Sequence, residues 1–153
     1  MSLQVLSGKA AHRVKPVIIY RTDKSISLDT FIDVYRRSTL GERRPIHDRT
    51  IMAAMLEHAD ILISAWDGQH LIGLARTLTD YDYVAYLADL AVDAAYQRQG
   101  IGKELIRRTP AAVKPTCSIT LLAAPKANEY YPHIGFIHHP RAWMLKPKEI
   151  KSL

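Results

Sequence analysis

The sequence has few of the features that stabilise secreted proteins or place a chain in a membrane. Its single cysteine, Cys117, excludes an internal disulfide. No uninterrupted apolar run reaches the roughly 18 residues that a transmembrane helix needs, and the N-terminus lacks the apolar core of a signal peptide. We therefore expect a cytoplasmic protein that has no membrane as a partner.

Several common motifs for catalysis and ligand binding are also absent. There is no Gly-x-x-x-x-Gly-Lys-Ser/Thr loop, no Gly-x-Gly-x-x-Gly after an N-terminal strand, and no nucleophile elbow with a Ser/His/Asp pattern. Among the histidines, His138 and His139 are adjacent and would point apart on a strand, whereas His47 and His58 lie on separate turns. We expect no metal site.

The net charge of +6 arises from 21 Lys and Arg residues against 15 Asp and Glu residues. Clustered basic residues bind nucleic acid by releasing counterions from its phosphates. Here the charges are spread from Arg13 to Lys151, no aromatic residues are interleaved with a basic run, and no nucleic-acid-binding motif occurs. We therefore expect no nucleic-acid partner.

Length and hydrophobic periodicity together predict a single α/β (α+β) domain. Residues 1–15 have mixed polarity and no sustained period, so we expect a flexible lead-in before a domain over residues 16–153. The element order is strand, two helices, three strands, helix, strand, helix, strand, which predicts a mixed sheet flanked by helices. The predicted strands cover 17–20, 61–66, 70–76, 83–92, 118–123 and 136–145, and the helices cover 27–41, 50–58, 101–109 and 126–133, with Pro110 separating a last turn at 111–113.

One stretch, residues 87–108 (LADLAVDAAYQRQGIGKELIRR), carries most of the functional information. An apolar strand leads through a short polar turn into residues 97–102 (QRQGIG), which open an amphipathic helix. The N–H groups at a helix start have no intrahelical partner and lie at the positive end of the helix dipole, so they can bind phosphate oxygens. Gly100 and Gly102 lack the Cβ atoms that would hold a diphosphate away. The 97–102 loop is therefore a predicted anion-binding site.

The spacing of Gln97, Gly100 and Gly102 resembles the Gln/Arg-x-x-Gly-x-Gly pyrophosphate loop of the GNAT superfamily, the GCN-type N-acetyltransferases that use acetyl-CoA. Residues 128–136 (NEYYPHIGF) resemble the Phe-Tyr-x-x-x-Gly-Phe pattern of the same family, and the element order resembles its fold from about residue 16 to residue 146. The resemblance implies a GNAT-like, mainly antiparallel central sheet. It also implies direct transfer of an acetyl group from acetyl-CoA to a primary amine, and we expect a small-molecule acceptor rather than a protein.

The resemblance also implies which residues bind the cofactor. In the family, the strand before the loop is splayed by a bulge, and its freed backbone groups bind the thioester carbonyl and the pantetheine arm. Aligned on the two glycines, the Leu90 N–H binds the carbonyl oxygen, and Ala91 and Val92 flank the pantetheine. The remaining implied cofactor contacts are Gln97, Arg98, Gln99, Gly100, Ile101, Gly102 and Lys103, with Asn128 as a looser match.

The catalytic assignment carried over from the family is Tyr131, the general acid that protonates the CoA thiolate. The general base stays open, because the position where some family members carry a glutamate is Tyr86 in this chain. Asp89 is the nearest alternative, although an aspartate on an apolar strand can equally be a structural hydrogen-bond acceptor. The other candidates are Glu42, His47, Asp48 and water.

Two other classes of function are compatible with the sequence. One is a non-catalytic acyl-CoA-binding or sensor domain, an alternative that the presence of Tyr86 at the position of the base supports. The other is a basic nucleic-acid-binding module. The resemblance places acceptor contacts in the charged loop over residues 42–48, but the sequence does not identify the acceptor. A homodimer formed through the predicted C-terminal strands is also compatible with the sequence.

Overall fold

The computed structural model describes residues 14–147, so nearly all of the predicted lead-in lies outside the described residues. Contacts divide the chain into two compact units that meet between Thr120 and Leu121. The strands are β1 (Ile18–Thr22), β2 (Ile61–Asp67), β3 (His70–Thr79), β4 (Val84–Val92) and β5 (Ser118–Leu121). The α-helices are α1 (Leu28–Arg37), α2 (Arg49–Glu57) and α3 (Ile101–Ala111), and short 3₁₀ helices cover Thr39–Arg43 and Ala94–Tyr96.

The five strands form one sheet in the order β1-β2-β3-β4-β5. The pairs β1–β2, β2–β3 and β3–β4 are all antiparallel. The prediction of a mainly antiparallel sheet flanked by helices is therefore confirmed.

Side-chain caps fix the starts of the first two helices. The Ser27 hydroxyl accepts the Thr30 N–H at 3.1 Å before α1, and the Asp48 carboxylate accepts the Ile51 N–H at 3.1 Å before α2. The prediction that the first helix reaches Gly41 is wrong. Ser38 adopts an extended conformation, which ends α1 at Arg37 and starts the 3₁₀ helix over Thr39–Arg43.

The third helix runs past its proline. Pro110 lies within α3, and the helix ends one residue later at Ala111. A proline breaks a helix because it lacks an N–H and its ring crowds the preceding turn. Because Pro110 lies in the last turn, the helix continues through it to Ala111, and residues 111–113 do not form the separate turn that the sequence suggested.

Helices cover both faces of the sheet. On one face, α1 and α2 pack on β2, β3 and β4 through a buried cluster that includes Phe31, Tyr35, Met52, Leu62, Leu74 and Ala91. On the other face, α3 approaches β3 at Gly73, where a Cβ would lie 3.3 Å from Leu105 and 3.4 Å from Ile101. The end of β4 is therefore held between helices on its two sides.

The second unit differs most from the sequence prediction. The predicted helix over 126–133 is wrong, because the chain forms two 3₁₀ turns there, Pro125–Ala127 and Tyr131–Ile134. Pro125 is the first residue of the first turn, and Pro132 is the second residue of the other. Gly135 ends that second turn with a φ of 96°. Residues 135–147 contain no strand, so the predicted strand at 136–145 is wrong too. The proposed pairing of C-terminal strands between subunits loses its basis in the described part of the chain.

We expect Gly41→Ala to lower the free energy of unfolding by about 1–3 kcal/mol, because the new methyl overpacks rigid backbone. A Cβ at residue 41 would lie 2.5 Å from the Tyr35 carbonyl oxygen and 3.2 Å from the Arg36 Cα. Urea unfolding measures the change. The matched control is Gly102→Ala, whose Cβ would meet Val92 at an ordinary 3.7 Å and should stabilise the helical position by about 0.4–1 kcal/mol. Equal losses in the two variants would contradict this account.

Candidate active site

A β-bulge interrupts β4 just before the predicted carbonyl-binding residue. Arg76 of β3 pairs with Asp89, but the next residue, Thr77, pairs with Leu87, so Ala88 is the extra residue on β4. The family resemblance implied a bulge in this strand. The structure has one, two residues before Leu90.

The backbone of β4 beyond the bulge points alternately toward and away from β3. The Asp93 N–H donates to the Ile72 carbonyl of β3 at 2.8 Å. N–H groups alternate in direction along a strand. The Ala91 N–H therefore also points toward β3, whereas the N–H groups of Leu90 and Val92 point toward the opposite edge of β4.

The strand β5 meets the edge that Leu90 and Val92 face at the other end of β4. The Ser118 N–H of β5 donates to the Tyr83 carbonyl at 2.9 Å, just before β4 begins. Four strand residues reach about 13 Å along this edge, whereas Leu90 lies about 23 Å along the strand from Tyr83. The backbone groups of Leu90 and Val92 are therefore beyond the reach of β5, as a ligand-binding role requires.

The loop after β4 returns toward the strand through side-chain contacts. Asp93 caps the Ala94–Tyr96 turn by accepting the Ala95 N–H at 2.9 Å, and the Gln97 amide donates to the Val92 carbonyl at 3.1 Å. Gly100 has a φ of 84°, a left-handed conformation that glycine adopts without strain. The Gln97 side chain thus shapes the loop, and the main chain of residues 100–103 remains as the surface for a ligand.

The start of α3 differs from those of α1 and α2, because no side chain caps it. Its first helical bond runs from the Glu104 N–H to the Gly100 carbonyl at 3.0 Å, so the preceding N–H groups have no intrahelical partner. A Cβ on Gly102 would meet only Val92 at 3.7 Å and Leu90 at 3.9 Å. Neither packing nor backbone conformation requires glycine there. The residue keeps open the space between α3 and the end of β4, which fits a bound diphosphate.

Two of the four basic residues near the loop are already engaged. Arg107 and Arg108 both bind Glu104 at 2.7 Å, and Arg108 also lies over the Tyr20 ring at 4.6 Å. The hydrogen bond from Arg107, with Arg108 acting in the same direction, lowers the pKa of Glu104 to about 2. Arg98 and Lys103 are exposed and form no ion pair with any residue that the structure describes. They are the two cations available to a phosphate group.

An ion pair that the sequence did not reveal fixes the beginning of the loop. The second Asp93 oxygen binds Arg37, at the end of α1, and Arg37 also donates to the Leu71 carbonyl at 2.7 Å and to Asp33 at 2.7 Å. Burial alone would raise the pKa of Asp93, but the Ala95 N–H and the Arg37 guanidinium outweigh it and hold that pKa below its ordinary value. The 97–102 loop is thereby tied to the opposite helix layer.

Asp89, the nearest candidate for the general base, lies at the centre of a buried ion cluster. One carboxylate oxygen accepts Arg44 Nε at 2.5 Å, and the other accepts Arg76 Nε at 2.5 Å and the Tyr35 hydroxyl at 2.7 Å. Burial, and then the charge of Asp89, raises the pKa of Tyr35 well above its ordinary value, so its hydroxyl stays a donor. These contacts match the alternative reading of Asp89 as a structural acceptor.

The remaining base candidates have different surroundings. Asp48 caps α2, so its carboxylate already accepts a backbone N–H. Glu42 and His47 are exposed, and Tyr86 is partly exposed on β4 opposite Leu78. The structure does not bring any of these side chains to the Leu90 N–H through a recorded contact.

Tyr131 and Asn128 belong to the second unit, described here by its own contacts. The Tyr131 ring packs edge-to-face on Tyr130 at 5.6 Å and on Phe136 at 5.5 Å, and its carbonyl accepts the Phe136 N–H at 3.1 Å. Burial, with a smaller effect of Tyr130, raises the pKa of Tyr131, so the hydroxyl is protonated at neutral pH. Asn128 is exposed at the end of the first 3₁₀ turn of this unit.

Among residues 14–147, no group of three or more His, Cys, Asp or Glu side chains is placed to hold a metal ion. No helix in the same range is long and apolar enough to cross a membrane.

Comparison with known proteins identifies the family. Residues 34–142 match the model of the acetyltransferase (GNAT) domain, which covers well over half of the chain. The chain therefore belongs to the GNAT acetyltransferase family.

Two of the curated relatives, both plant proteins, are longer than this chain. Histone acetyltransferase TAP1 of Glycine max is 31% identical over 127 residues, which cover 71% of this chain and 54% of the relative. GCN5-related N-acetyltransferase 1, chloroplastic, of Arabidopsis thaliana is 27% identical over 129 residues, which cover 80% of this chain and 62% of the relative. The chain spans between about half and three fifths of these relatives.

Solved structures share the fold. The GNAT family protein SP0256 of Streptococcus pneumoniae superposes with a TM-score of 0.67 at 23% identity, covering 85% of this chain and 99% of that one. The aminoglycoside N-acetyltransferase AAC(6')-Iy, solved in complex with CoA, has a TM-score of 0.65 at 17% identity, covering 89% of this chain and 98% of that one. At these identities the likeness shows the fold alone.

We expect Asp93→Asn to make the free energy of unfolding depend less strongly on pH in the acidic range. The folded-state pKa of Asp93 is depressed, so its stabilisation is complete above the ordinary aspartate pKa of about 4 and is lost as the pH falls through the lower folded value. At pH 7 the variant should lose about 2 kcal/mol, the order of a hydrogen bond to a charged group. Urea unfolding between pH 7 and pH 3 measures both effects. Asp33→Asn, which removes an exposed partner of the same Arg37, is the control, and equal slopes in the two variants would refute the assignment.

Proposed function

We propose that this protein is an acetyl-CoA-dependent N-acetyltransferase that moves an acetyl group directly to the primary amine of a small molecule. One observation carries the proposal: the end of β4 beyond the reach of β5, where the Leu90 N–H faces away from β3, lies beside the uncapped, glycine-lined start of α3. A thioester carbonyl and a diphosphate on one ligand match these two features. Membership of the GNAT family supports the same reading.

The proposed binding mode uses mainly backbone groups. The N–H groups of Ile101, Gly102 and Lys103 bind the diphosphate oxygens at the positive end of the α3 dipole. The Arg98 and Lys103 side chains add positive charge beside them. Ala91 and Val92 flank the pantetheine arm, and the packing of α1 and α3 on the two faces of β4 keeps this edge rigid.

The proposed reaction needs two groups from the protein. Acetyl-CoA supplies the acetyl group as a thioester, so a carbon–nitrogen bond to the amine forms as the carbon–sulfur bond breaks. The Leu90 N–H stabilises the negative charge that develops on the carbonyl oxygen. The Tyr131 hydroxyl gives its proton to the departing sulfur and regains one from solvent before the next turnover; its raised pKa keeps it protonated at rest.

The amine must also lose a proton. Asp89 already accepts hydrogen bonds from Arg44, Arg76 and Tyr35, so protonating it would disrupt two ion pairs. We therefore propose that the amine proton leaves to water. If water accepts the amine proton, the reaction needs no glutamate at the position that Tyr86 occupies.

Two alternatives rest on specific observations. Tyr86 in the base position favours a domain that binds acyl-CoA without turning it over. The name of the histone acetyltransferase relative favours a protein acceptor, whereas the aminoglycoside acetyltransferases among the structural neighbours favour a small molecule. An acceptor panel that includes aminoglycosides, polyamines, amino acids and a lysine peptide separates these readings.

Thermal and urea unfolding with CoA or acetyl-CoA test the site directly. Ligand at one hundred times its Kd should stabilise the protein by about 2.7 kcal/mol. Gly102→Glu should abolish this gain, because its carboxylate occupies the diphosphate position, yet stabilise the unliganded helix by about 0.3–1 kcal/mol. Gln69→Glu adds the same charge on the exposed β2–β3 turn and should keep the ligand effect. No stabilisation of the parent protein by either ligand would refute the proposal.

Tyr131→Phe should lower kcat by about 10²–10⁴-fold, the usual contribution of a general acid. The ring contacts with Tyr130 and Phe136 survive this change, so we expect the Kd for acetyl-CoA and the unfolding midpoint to stay the same. CoA release under saturating acetyl-CoA measures kcat. Tyr130→Phe is the matched control and should be nearly neutral, whereas equal rates in parent and Tyr131→Phe would remove Tyr131 from the mechanism.

A further inference from the structure

The buried cluster around Asp89 carries one more positive charge than negative. Arg44 and Arg76 both bind its carboxylate, and the fourth member, Tyr35, is a neutral donor. Asp89 and Arg76 are only 2% and 8% exposed. Because burying a guanidinium without a counter-charge is costly, the cluster as it stands favours the approach of one further negative charge.

The two arginines differ in how many of their donors are used. Arg44 engages all three nitrogens, binding Asp89, the Arg43 carbonyl at 2.9 Å and the Ala88 carbonyl at 2.9 Å. Arg76 donates Nε to Asp89 and also interacts with the Tyr35 hydroxyl beside that carboxylate, and no hydrogen bond among the described residues is assigned to its two terminal nitrogens.

Those terminal nitrogens are not sealed inside the core. Among residues 14–147, the only fully buried side-chain polar atom without a hydrogen bond is the Thr77 hydroxyl oxygen. The terminal nitrogens of Arg76 are not among such atoms, so they keep some contact with solvent, although the side chain is nine-tenths buried.

The guanidinium of Arg76 lies next to the proposed acyl site. Arg76 is directly opposite Asp89 in the β3–β4 register, and Asp89 immediately precedes Leu90. Tyr35 of α1 and Arg44, at the end of the Thr39–Arg43 turn, meet the same carboxylate. The guanidinium thus lies where β4, α1 and the loop between the first two helices converge.

We propose that Arg76 is a carboxylate subsite for the acceptor, so that the enzyme prefers amines that carry a carboxylate near the amino group, as amino acids do. The inference rests on the proposed function, because it describes the second substrate of the same site. A planar guanidinium edge binds a carboxylate through two parallel hydrogen bonds. A carboxylate also supplies a single negative charge, which matches the excess of one in the cluster.

Matched acceptor pairs test the subsite in the unmodified protein. Each of several α-, β- and γ-amino acids is compared with its own amide, at saturating acetyl-CoA, by CoA release. Rates are expressed per unprotonated amine, because conversion to the amide lowers the pKa of the amino group. We expect kcat/KM to be at least about tenfold higher for the acid at the best spacing, the order of one well-made charged hydrogen bond. Equal kcat/KM values at every spacing would overturn the subsite.

Variants at Arg76 separate recognition from a purely structural role. Arg76→Met should bring the acid-to-amide ratio close to one, and Arg76→Lys, which keeps a charge beside Asp89 but loses the planar edge, should leave a reduced ratio. Arg36→Met is the control, since Arg36 is an exposed arginine of α1 whose ion pair is with Asp33 at 3.5 Å. A structural role would lower the rates for acid and amide equally and leave their ratio unchanged. Arg76→Lys serves the same comparison if Arg76→Met does not fold.

The same experiments distinguish failure of the subsite from failure of the proposed function. Unfolding is followed with CoA present and with each acid or amide added, so that acceptor binding is seen even without turnover. Stabilisation by CoA, together with equal effects of acids and amides, would overturn the subsite and leave the proposed function intact. Absence of both CoA binding and CoA release with every amine would overturn the proposed function and the subsite together.

Discussion

The carboxylate of Asp89, held between two guanidinium groups, is the interaction on which the candidate site depends. It joins α1 through Tyr35, the loop after α1 through Arg44 and the neighbouring strand through Arg76, all at the bulge in β4. Removing one partner of a buried ion pair typically costs 3–5 kcal/mol, because the other charge stays buried without compensation. The outward direction of the Leu90 N–H is therefore fixed by electrostatics as well as by the strand register.

The parts of the site that depend on local signals could be predicted from the sequence. Gly100 adopts the left-handed conformation that its residue type permits, and the helix begins where the apolar period begins, at Ile101. Ser27 caps the first helix as expected. Each of these features is decided by residues within about one turn of each other, so their spacing in the sequence is enough to reveal them.

The contacts that hold the site in place are long-range, and the sequence alone does not show them. Arg37 meets Asp93 across 56 positions and Arg44 meets Asp89 across 45. A lone arginine near a helix end usually indicates only a solvated surface, so neither partner could be assigned. The wrong helix in the second unit has another origin: the apolar period over 126–133 is helical, but Pro125, Pro132 and Gly135 limit the chain there to two 3₁₀ turns.

The ion pairs also set an order of events during synthesis. Arg37 and Arg44 leave the ribosome 45 to 56 residues before the aspartates that they bind. At roughly 5–20 residues per second, the nascent chain carries both arginines without these aspartate partners for about 2 to 11 seconds. The first helix and the loop after it therefore cannot complete their packing as they emerge. They wait for β4, and the acyl site is among the last parts of the first unit to assemble.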